Sequence, residues 1–346
     1  MKVGLLTGPG TLALVDRPDP VAGPGEVVVR LAACGVCGTD LEKVRGHYQA
    51  TGRVGHEPVG VIERVGDGVE GLAVDDRVVV HHHVPCYACP VCRRGDYTFC
   101  PSYASTNIDP GGFAERFRVP RVNVERGAVQ RLDPSIDWAT GTLLEPAACA
   151  LTALRRIGFR SGETAFVIGL GPVGLLYGRL LRTLGASWVG GAELSPRRRA
   201  AGTAGGMAVA VDPRDPAAAP MAVREATEGV GVDLAVVATG APAAIRLATD
   251  LTRPGGTLNL FGLPDAGTRL DVDLQALYLR GTRVVPTYAT TERDLTDVQS
   301  LLVQRRLDLD GLVTQTFPLA RIADAFAMAA RPDDAIKVAV TGPAVG

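Results

Sequence analysis

The stretch Thr164-Ala-Phe-Val-Ile-Gly-Leu-Gly-Pro-Val-Gly174 decides the fold of the second half of the chain. Thr164–Ile168 is a short apolar run typical of a buried strand, and Val173–Leu184 has the pattern of a helix. The spacing Gly-x-Gly-x-x-Gly between them is typical of a turn whose backbone approaches a pyrophosphate. Because an acid, Glu193, follows about 20 residues later, the stretch predicts a dinucleotide-binding turn instead of a plain strand–helix connection.

The residues of this turn have separate predicted tasks. Gly169 makes the tight turn, Gly171 lets the backbone approach the cofactor phosphates, and Gly174 lets the helix pack on the strand. Pro172 and Val173, at the start of the helix, complete the set predicted to contact the cofactor.

Glu193 and the arginines that follow it favour different cofactors. Glu193 would accept hydrogen bonds from the adenosine ribose and repel a 2′-phosphate, which favours NAD(H). Ser195 and Arg197–Arg199 could instead hold a 2′-phosphate, or they could form a solvated helix start. We predict NAD(H) over NADP(H) on the strength of the acid, with Arg198 also at the cofactor.

Strand and helix patterns alternate beyond this turn. Further apolar runs separated by helical segments follow it: Trp188–Glu193, Val209–Asp212, Asp233–Ala238 and Thr257–Phe261. Alternation of this kind is typical of a doubly wound parallel sheet with helices on both faces. We therefore predict a dinucleotide-binding (Rossmann) domain over residues 156–290.

The first 155 residues have a different character. Three short runs separated by Gly-rich turns are typical of strands: Glu26–Leu31, Val59–Val65 and Arg77–His82. After residue 290, helices at Asp294–Arg305 and Ile322–Ala330 precede a strand. We expect this last part to return to the first domain, so that residues 1–155 and 291–346 form one β-rich domain and the fold class is α/β.

Four cysteines lie close together in this β-rich part, at Cys86, Cys89, Cys92 and Cys100. Four thiolates at such spacing can bind one tetrahedral zinc ion with no open position, which is a structural site. Two disulfides or four unrelated buried thiols are the alternative. We favour zinc because the sequence shows no secretory signal and cytosolic thiols stay reduced. The predicted zinc lobe spans residues 86–100.

Composition narrows the class of protein. The chain has 346 residues, of which 46% are hydrophobic and 21% charged, and its formal net charge is −1. This charge argues against a nucleic acid or a membrane surface as an electrostatic partner. With no segment long enough to span a membrane, we expect a cytoplasmic protein, and an enzyme.

A second set of metal-binding residues is scattered along the chain: Cys37, His56, Glu57 and Glu145. A thiolate, an imidazole and a carboxylate are suitable zinc ligands, and three of them leave a position open for chemistry. Spacing alone does not join them, since a lone cysteine or histidine is more often a core residue.

The order of these motifs resembles a known family. Cys37-Gly-Thr-Asp, Gly-His56-Glu57, the four-cysteine lobe, Glu145-Pro and the glycine-rich turn follow one another as in the zinc-dependent medium-chain dehydrogenases. The chain is most similar to the polyol (sorbitol or L-iditol) and threonine dehydrogenase branch. The resemblance covers nearly the whole chain. It implies a partly open, GroES-like β-barrel catalytic domain beside the Rossmann domain, and a homodimer or homotetramer.

The resemblance also implies roles for the scattered residues. Cys37 and His56 would bind a catalytic zinc, with Glu57 a direct or alternating ligand and Glu145 a direct or water-mediated one. Two zinc ions per chain are thus expected. Thr39 would pass on the substrate proton.

Two more roles implied by the resemblance concern residues outside this ligand set. Asp40 would orient His56. Lys337 resembles the basic residue that reaches the cofactor pyrophosphate or Asp40.

Several residues depart from the family pattern. Glu42 stands where many relatives have a histidine that ends the proton relay, so the relay could use this carboxylate, His47 or solvent. Together with Tyr48 and His82, His47 would suit a hydroxylated substrate. Cys34 and Cys149 are expected to be buried and to bind nothing.

The run His81-His82-His83 is also unusual. Because neighbouring residues on a strand point to opposite faces, at most two of the three should share a side. His82 matches the position that lines the alcohol pocket in relatives, so we place it at the substrate. The alternative is that all three are surface residues at the end of a strand.

We therefore predict an oxidoreductase that interconverts a secondary alcohol of a small polyol, sugar or cyclitol and its ketone. One alternative is an NADPH-dependent ketoreductase of amino-sugar or aminocyclitol biosynthesis, and another is a threonine-type amino-alcohol dehydrogenase. A non-catalytic regulatory protein that binds zinc and nucleotide is the alternative from a different class.

Overall fold

The computed structural model describes residues 1–8, 10–46, 52–269 and 273–343, which divide into two compact units. Unit 1 comprises Met1–Ala148, Thr290–Arg305 and Leu309–Gly346, and unit 2 comprises Cys149–Ala289 and Arg306–Asp308. The first crossing between units thus lies at residues 148 and 149, whereas the sequence placed it at 155 and 156.

The strands of the described residues are β1 (Lys2–Gly8), β2 (Thr11–Asp16), β3 (Val27–Gly35), β4 (Pro58–Val65), β5 (Arg77–Val80), β6 (Arg116–Val119), β7 (Val129–Arg131), β8 (Thr164–Ile168), β9 (Trp188–Ala192), β10 (Val209–Val211), β11 (Val232–Val237), β12 (Thr252–Leu260), β13 (Arg283–Pro286), β14 (Val313–Pro318) and β15 (Lys337–Thr341).

The helices are α1 (Gly38–Val44), α2 (Arg121–Glu125), α3 (Trp138–Gly141), α4 (Leu144–Ile157), α5 (Pro172–Thr183), α6 (Pro196–Ala204), α7 (Ala218–Ala226), α8 (Pro242–Leu251), α9 (Leu274–Arg280), α10 (Glu292–Val303) and α11 (Ile322–Ala329). Within the described ranges, no helix is both long enough and apolar enough to cross a bilayer.

Unit 1 is built on a mixed sheet in the order β14-β15-β3-β4-β5-β7, with β6 also paired to β3. The nine residues of β3 are almost all buried, as expected for a central strand covered on both faces. The C-terminal strand β15 runs antiparallel to β3, with Val340 opposite Cys34. Phe113 packs edge to face on Phe326 of α11, with ring centroids 5.5 Å apart, inside the same apolar core.

Unit 2 is a six-stranded sheet in the order β10-β9-β8-β11-β12-β13, and every neighbouring pair is parallel. Strand β8 matches the predicted Thr164–Ile168, and it lies beside β11 where the strand order reverses. Ligands bind at such a reversal in open α/β sheets. The parallel order is that of the predicted doubly wound Rossmann domain.

The histidine run does not continue a strand. The sequence predicts a strand over Arg77–His82, but β5 ends at Val80, where its pairing with β7 ends, and the chain bends at His82. Strand alternation therefore does not apply beyond Val80, so the strand end is wrong, while the expectation that at most two of the three rings share a side stays a prediction. The His82 ring lies between the other two, 5.2 Å from His81 and 4.1 Å from His83 between centroids.

Candidate active site and metal centres

The four cysteine sulfur atoms of the lobe lie at spacings that suit one zinc ion. The Sγ atoms of Cys86 and Cys92 are 3.9 Å apart, and those of Cys89 and Cys100 are 4.0 Å apart. Tetrahedral ligands at a Zn–S distance of about 2.3 Å would be about 3.8 Å from one another, whereas a disulfide needs about 2.05 Å. The donor set and its geometry therefore fit zinc.

Backbone amides point at these sulfur atoms. The amide of Cys89 donates to Cys86 Sγ at 3.3 Å, that of Cys92 to Cys89 Sγ at 3.4 Å, and that of Cys86 to Cys100 Sγ at 3.3 Å. Burial opposes ionisation of Cys100, but hydrogen bonds from Ser102 and Cys86 outweigh it and lower the pKa of the thiol to about 6. Hydrogen bonds from backbone amides also lower the pKa of Cys86, whereas burial and the neighbouring cysteines raise that of Cys92 to about 12. Without metal, the lobe thus favours the thiolate at Cys86 and Cys100.

The lobe is fixed to the start of α10. The Arg293 guanidinium lies over the ring of Tyr87, 4.2 Å from its centroid, and 5.6 Å from that of Tyr97. The Tyr87 hydroxyl donates to the carboxylate of Glu292. A cation–π contact and a charge-assisted hydrogen bond therefore join residues far apart in the sequence.

Cys37, His56 and Glu57 converge, each offering one ligand atom within 4.8 Å of the others. Sheet register explains why: Cys34 of β3 lies opposite Pro58 of β4, so the end of one strand meets the start of the other. Cys37 follows β3 directly, and the His-Glu pair precedes β4. These three donors fit zinc and leave a position open.

Asp40 lies behind His56, as the resemblance implies. Its carboxylate is fully buried, lies 3.4 Å from His56 Nδ1 and accepts the Gly55 amide at 3.1 Å. Burial by itself would raise the pKa of Asp40, but His56, Lys43 and the Gly55 amide outweigh it and lower the pKa to about 2. With Nδ1 facing this carboxylate, the other nitrogen of His56 is the one available to a metal.

Lys337 is predicted to reach the cofactor pyrophosphate or Asp40, and in the structure its ion-pair partner is Glu57. Its ammonium group is buried and pairs with the carboxylate of Glu57. Because β15 lies beside β3, with Ala339 opposite Gly35, the lysine is carried to this point by sheet pairing. A side chain at Gly35 would overlap the Glu57 carboxylate, so the glycine makes room for the pair.

Sequence reasoning missed the Lys337–Glu57 pair and the part played by Gly35. The signal for the first was a lone charge in the apolar strand Lys337–Thr341, since a buried lysine needs an anion. The part played by Gly35 had no signal, because the sequence does not distinguish a glycine that makes room for a distant side chain from any other glycine.

Glu145 is predicted to be a direct or water-mediated ligand of the catalytic zinc, and this stays a prediction. Its carboxylate, in the first turn of α4, forms a second cluster with His81 and His82, again with ligand atoms within 4.8 Å. The two clusters are neighbours, since the His56 and His82 ring centroids are 5.1 Å apart. Burial lowers the pKa of His81 to about 3 and that of His82 well below its ordinary value, so both rings are neutral near pH 7.

The predicted proton-relay residues have different positions. Thr39 is half-buried in the first turn of α1, two residues from Cys37. Glu42 pairs with the exposed Arg45 at 2.6 Å and belongs to neither cluster of the described residues. His47 and Tyr48 lie outside the described residues, so their roles stay predictions.

In unit 2 the glycine-rich turn has the geometry that its spacing predicts. Gly169 has a φ of +89°, which other residues rarely adopt. A Cβ at Gly174 would overlap the Gly169 carbonyl oxygen, so close packing of α5 requires this glycine. Gly171 is the N-cap of α5 and Pro172 its first residue, which orients the helix N-terminus toward the turn.

Glu193 and the arginines lie beside this turn. The Glu193 carboxylate accepts the Leu170 amide at 2.8 Å and the Ser195 amide at 3.0 Å. Arg199 pairs with Asp212 at 3.1 Å, so it is used within the unit. The nearest group to a Cβ built at Gly171 is the Arg198 guanidinium, at 3.7 Å.

Both parts of the chain match family models. The model described as "Alcohol dehydrogenase GroES-like domain" matches residues 23–127, and the one described as "Zinc-binding dehydrogenase" matches residues 172–304.

Relatives and a solved structure match over most of the chain. L-threonine 3-dehydrogenase from Pyrococcus abyssi is 32% identical, with 88% of this chain and 87% of the relative covered. Sorbitol dehydrogenase from Gallus gallus is 29% identical, with 92% and 90% covered. The structure of an alcohol dehydrogenase from Thermus sp. ATN1 is 27% identical, has a TM-score of 0.88, and covers 99% of this chain and 100% of its own.

The chain therefore belongs to the zinc-dependent medium-chain dehydrogenases and is an NAD(P)-dependent alcohol dehydrogenase. The resemblance inferred from the motifs is confirmed, as is the fold class of a GroES-like domain with a Rossmann domain.

Proposed function

We propose that the protein interconverts a secondary alcohol of a polyol, sugar or cyclitol and its ketone, with a catalytic zinc bound by Cys37 and His56. Glu57 would be a direct or alternating ligand and Glu145 a direct or water-mediated one. The convergence of Cys37, His56 and Glu57 carries the proposal. Three ligands leave a fourth position for a substrate oxygen, which a purely structural site lacks. A non-catalytic regulatory protein would have no use for such a position.

The residues of the cluster have separate tasks in this reaction. A zinc ion held there supplies a Lewis acid that makes the alcohol easier to deprotonate. Asp40 holds the His56 ring in position, and Thr39 takes the substrate proton and passes it to Glu42, His47 or solvent. The nicotinamide supplies the hydride-accepting chemistry.

The cofactor is proposed to be NAD(H). The turn Gly169–Gly174 would hold the pyrophosphate, with Pro172 and Val173 at the helix start and Arg198 beside it. Glu193 would bind the adenosine ribose. The use of Arg199 within the unit supports this preference, since it removes one of the arginines that could hold a 2′-phosphate.

Two zinc ions per chain are proposed, the second in the four-cysteine lobe, whose S···S spacings support it. The substrate is proposed to be small and hydroxylated because His82 offers a polar group beside His56. We propose a homodimer or homotetramer, and a cytoplasmic location supported by seven cysteines that form no disulfide.

Two observations favour other substrates of the same class. The 32% identity to a threonine 3-dehydrogenase favours an amino alcohol. The position of Arg198 at the glycine turn favours an NADPH-dependent ketoreductase acting on an amino sugar or aminocyclitol.

Steady-state kinetics on a panel of polyols, sugars and amino alcohols with NAD(H) and NADP(H) tests the proposal. We expect turnover with at least one polyol or cyclitol and two zinc ions per chain. Cys37→Ala and His56→Ala should each lower kcat more than 1000-fold, on the order of 4 kcal/mol of transition-state stabilisation, and leave the lobe zinc in place. Full activity in either metal-analysed variant would overturn the ligand assignment, and one zinc without turnover would favour the regulatory alternative.

A further inference from the structure

The histidine run is held at its backbone by a side chain from another element. Asn123, in α2, is 0% exposed, and its side-chain amide donates to the carbonyl oxygen of His82 at 2.9 Å. We propose that Asn123 is a positioning residue that sets the place of the His82 ring and, through it, the preference for hydroxylated substrates. This inference rests on the proposed function, in which His82 lies at the substrate.

The chain bends at His82, just after strand pairing has ended. Strand β5 ends at Val80, and the His81 amide still donates to the carbonyl of Ala128, directly before β7, at 2.8 Å. The next carbonyl, that of His82, is paired with Asn123. Backbone polar groups inside proteins are paired almost without exception. At this bend a side chain therefore provides the pairing that the strand ladder provides up to Val80.

Both supports of the bend belong to one local structure. The backbone carbonyl of Asn123 accepts the Ala128 amide at 2.9 Å, so the side chain that holds His82 and the carbonyl that holds His81 are fixed to each other. Two supports at neighbouring residues fix the direction of the backbone there. They thereby fix the direction in which the His82 side chain leaves the backbone, toward a ring centroid 5.1 Å from that of His56.

The hydrogen bonding of the Asn123 amide points to this single contact. Since the His82 carbonyl can only accept, the amide nitrogen faces it and Oδ1 faces away. Oδ1 is buried and has no partner among the described residues. A core position that leaves one half of an amide unpaired is costly, and an apolar residue would avoid that cost. The contact with His82 is therefore the reason for an asparagine at this position.

The position of His82 matters for the substrate more than for the fold. A displacement of about 1 Å in a group that orients a substrate can change a rate about 100-fold. Beyond the bend the chain is held separately, because the Val84 amide donates to the hydroxyl of Thr106 at 2.8 Å. Loss of the Asn123 amide should therefore shift the bend without releasing the chain on either side of it.

Steady-state kinetics of full-length Asn123→Leu tests the proposal. The probes are 2-butanol and the polyol of the panel with the highest kcat/KM. The ratio of kcat/KM for the polyol to that for 2-butanol should fall about tenfold, with unchanged zinc content. In a His82→Phe background, the same substitution should change this ratio less than about twofold, since residues that act through one another are not additive.

Gln130→Met is the matched control for these measurements. Gln130, in β7, is also a side-chain amide that donates to a backbone carbonyl, but its acceptor is Glu292, at 2.6 Å. It holds α10 and makes no hydrogen bond to the histidine run among the described residues. The control should therefore leave the substrate ratio unchanged.

A second readout does not depend on turnover. The chain has five histidines, so the ring signals of protein labelled with ¹³C-histidine are few. The His82 signal is the one lost in His82→Phe. We expect Asn123→Leu to shift this signal and Gln130→Met to leave it in place. This measurement decides whether Asn123 positions His82 even when no alcohol of the panel is oxidised.

Four outcomes would overturn the inference. They are equal losses of kcat/KM for the polyol and for 2-butanol, a change in the ratio that persists in full in the His82→Phe background, an unmoved His82 signal, and failure to fold of both Asn123→Leu and the smaller Asn123→Ser. The last would assign Asn123 to folding alone. The proposed function fails in a different way, by absence of turnover in the wild-type protein.

Discussion

The two units of the chain assemble their reactive groups in different ways. Unit 2 forms its proposed cofactor turn from one local segment of chain, from Gly169 to Arg198. Unit 1 brings Cys37, His56 and Glu57 together. Lys337, which pairs with Glu57, lies 280 residues further along the chain (337 − 57 = 280). The first arrangement depends on local geometry, and the second depends on sheet pairing.

This difference extends to how each unit is held together. In unit 1, the lobe and the buried Lys337–Glu57 pair place charge or metal ligands where apolar packing would otherwise be. Unit 2 relies on a parallel sheet and apolar core, with hydrogen bonds at strand ends. Changes to metal ligands or buried charges should therefore have larger effects on stability in unit 1 than hydrogen-bond changes in unit 2.

Loss of the lobe metal should have the largest effect on stability. Cys89→Ser and Cys100→Ser should each lose one zinc ion and more than about 4 kcal/mol of unfolding free energy, because binding energy at a structural zinc is folding energy. Metal analysis and urea denaturation measure both. Cys149→Ala, which removes a buried thiol outside the lobe, should keep both zincs. An unchanged unfolding free energy with one metal lost would show that the lobe is not structural.

Removal of the Lys337 charge should have the next largest effect. Lys337→Met leaves the Glu57 carboxylate buried without its counter-charge, which should cost about 3 kcal/mol of unfolding free energy in metal-free protein. Lys2→Met is the control, since Lys2 pairs with Asp16 in solvent, and it should change nothing measurable. Equal effects of the two substitutions would contradict the distinction between a buried and an exposed pair.

Asp233 provides the corresponding test in unit 2. Its carboxylate accepts the amide and hydroxyl of Thr164, both at 2.8 Å, and pairs with Arg253 at 2.7 Å. Asp233→Asn should cost about 2 kcal/mol at pH 7, less than either change in unit 1. Burial raises the pKa of Asp233, but these partners outweigh it and hold the pKa below its ordinary value.

The sign of the pH effect follows from that direction. A lowered folded-state pKa stabilises the protein above the unfolded-state value of about 3.9, and the stabilisation is lost as the pH falls from that value through the lower folded-state pKa. Urea denaturation at pH 7 and pH 3 measures this effect. The difference in unfolding free energy between wild type and Asp233→Asn should be smaller at pH 3 than at pH 7. A difference that stays constant would contradict an ionised role for Asp233.

The smallest effect is expected on cofactor preference, measured as the ratio of kcat/KM with NAD(H) to kcat/KM with NADP(H). Wild type should have a higher kcat/KM with NAD(H) than with NADP(H). Glu193→Gln should lower that ratio about tenfold, or about 1.4 kcal/mol, by removing charge near a 2′-phosphate. Glutamine keeps an oxygen that can accept a hydrogen bond from the Leu170 or the Ser195 amide. Glu225→Gln, at an exposed position of α7, is the control. A wild-type preference for NADP(H) would show that Arg197 and Arg198 dominate.

Local patterns predicted much of the fold, whereas the scattered candidate zinc ligands were grouped only by the family resemblance. Strand β8 was predicted residue for residue, and α5 began one residue earlier than expected, at Pro172. The strand that should have reached His82 ended at Val80, since strand length depends on the partner strand β7. Repeating apolar residues and glycine spacing indicate that a helix or strand is present. The residue at which it ends depends on neighbouring elements that are distant in sequence.

By itself, the sequence determined the class of protein, through the order of motifs along nearly the whole chain. It also determined the Rossmann turn and the four-cysteine lobe, because in these two the functional groups lie within about 30 residues and spacing fixes their geometry. Only the tertiary structure decided that Lys337 pairs with Glu57 and that Glu145 joins His81 and His82. The first contact follows from the registers of β3 with β4 and of β3 with β15, and the second joins the first turn of α4 to the residues that follow β5. Such registers are set by the packing of the whole sheet, which no single segment of sequence contains.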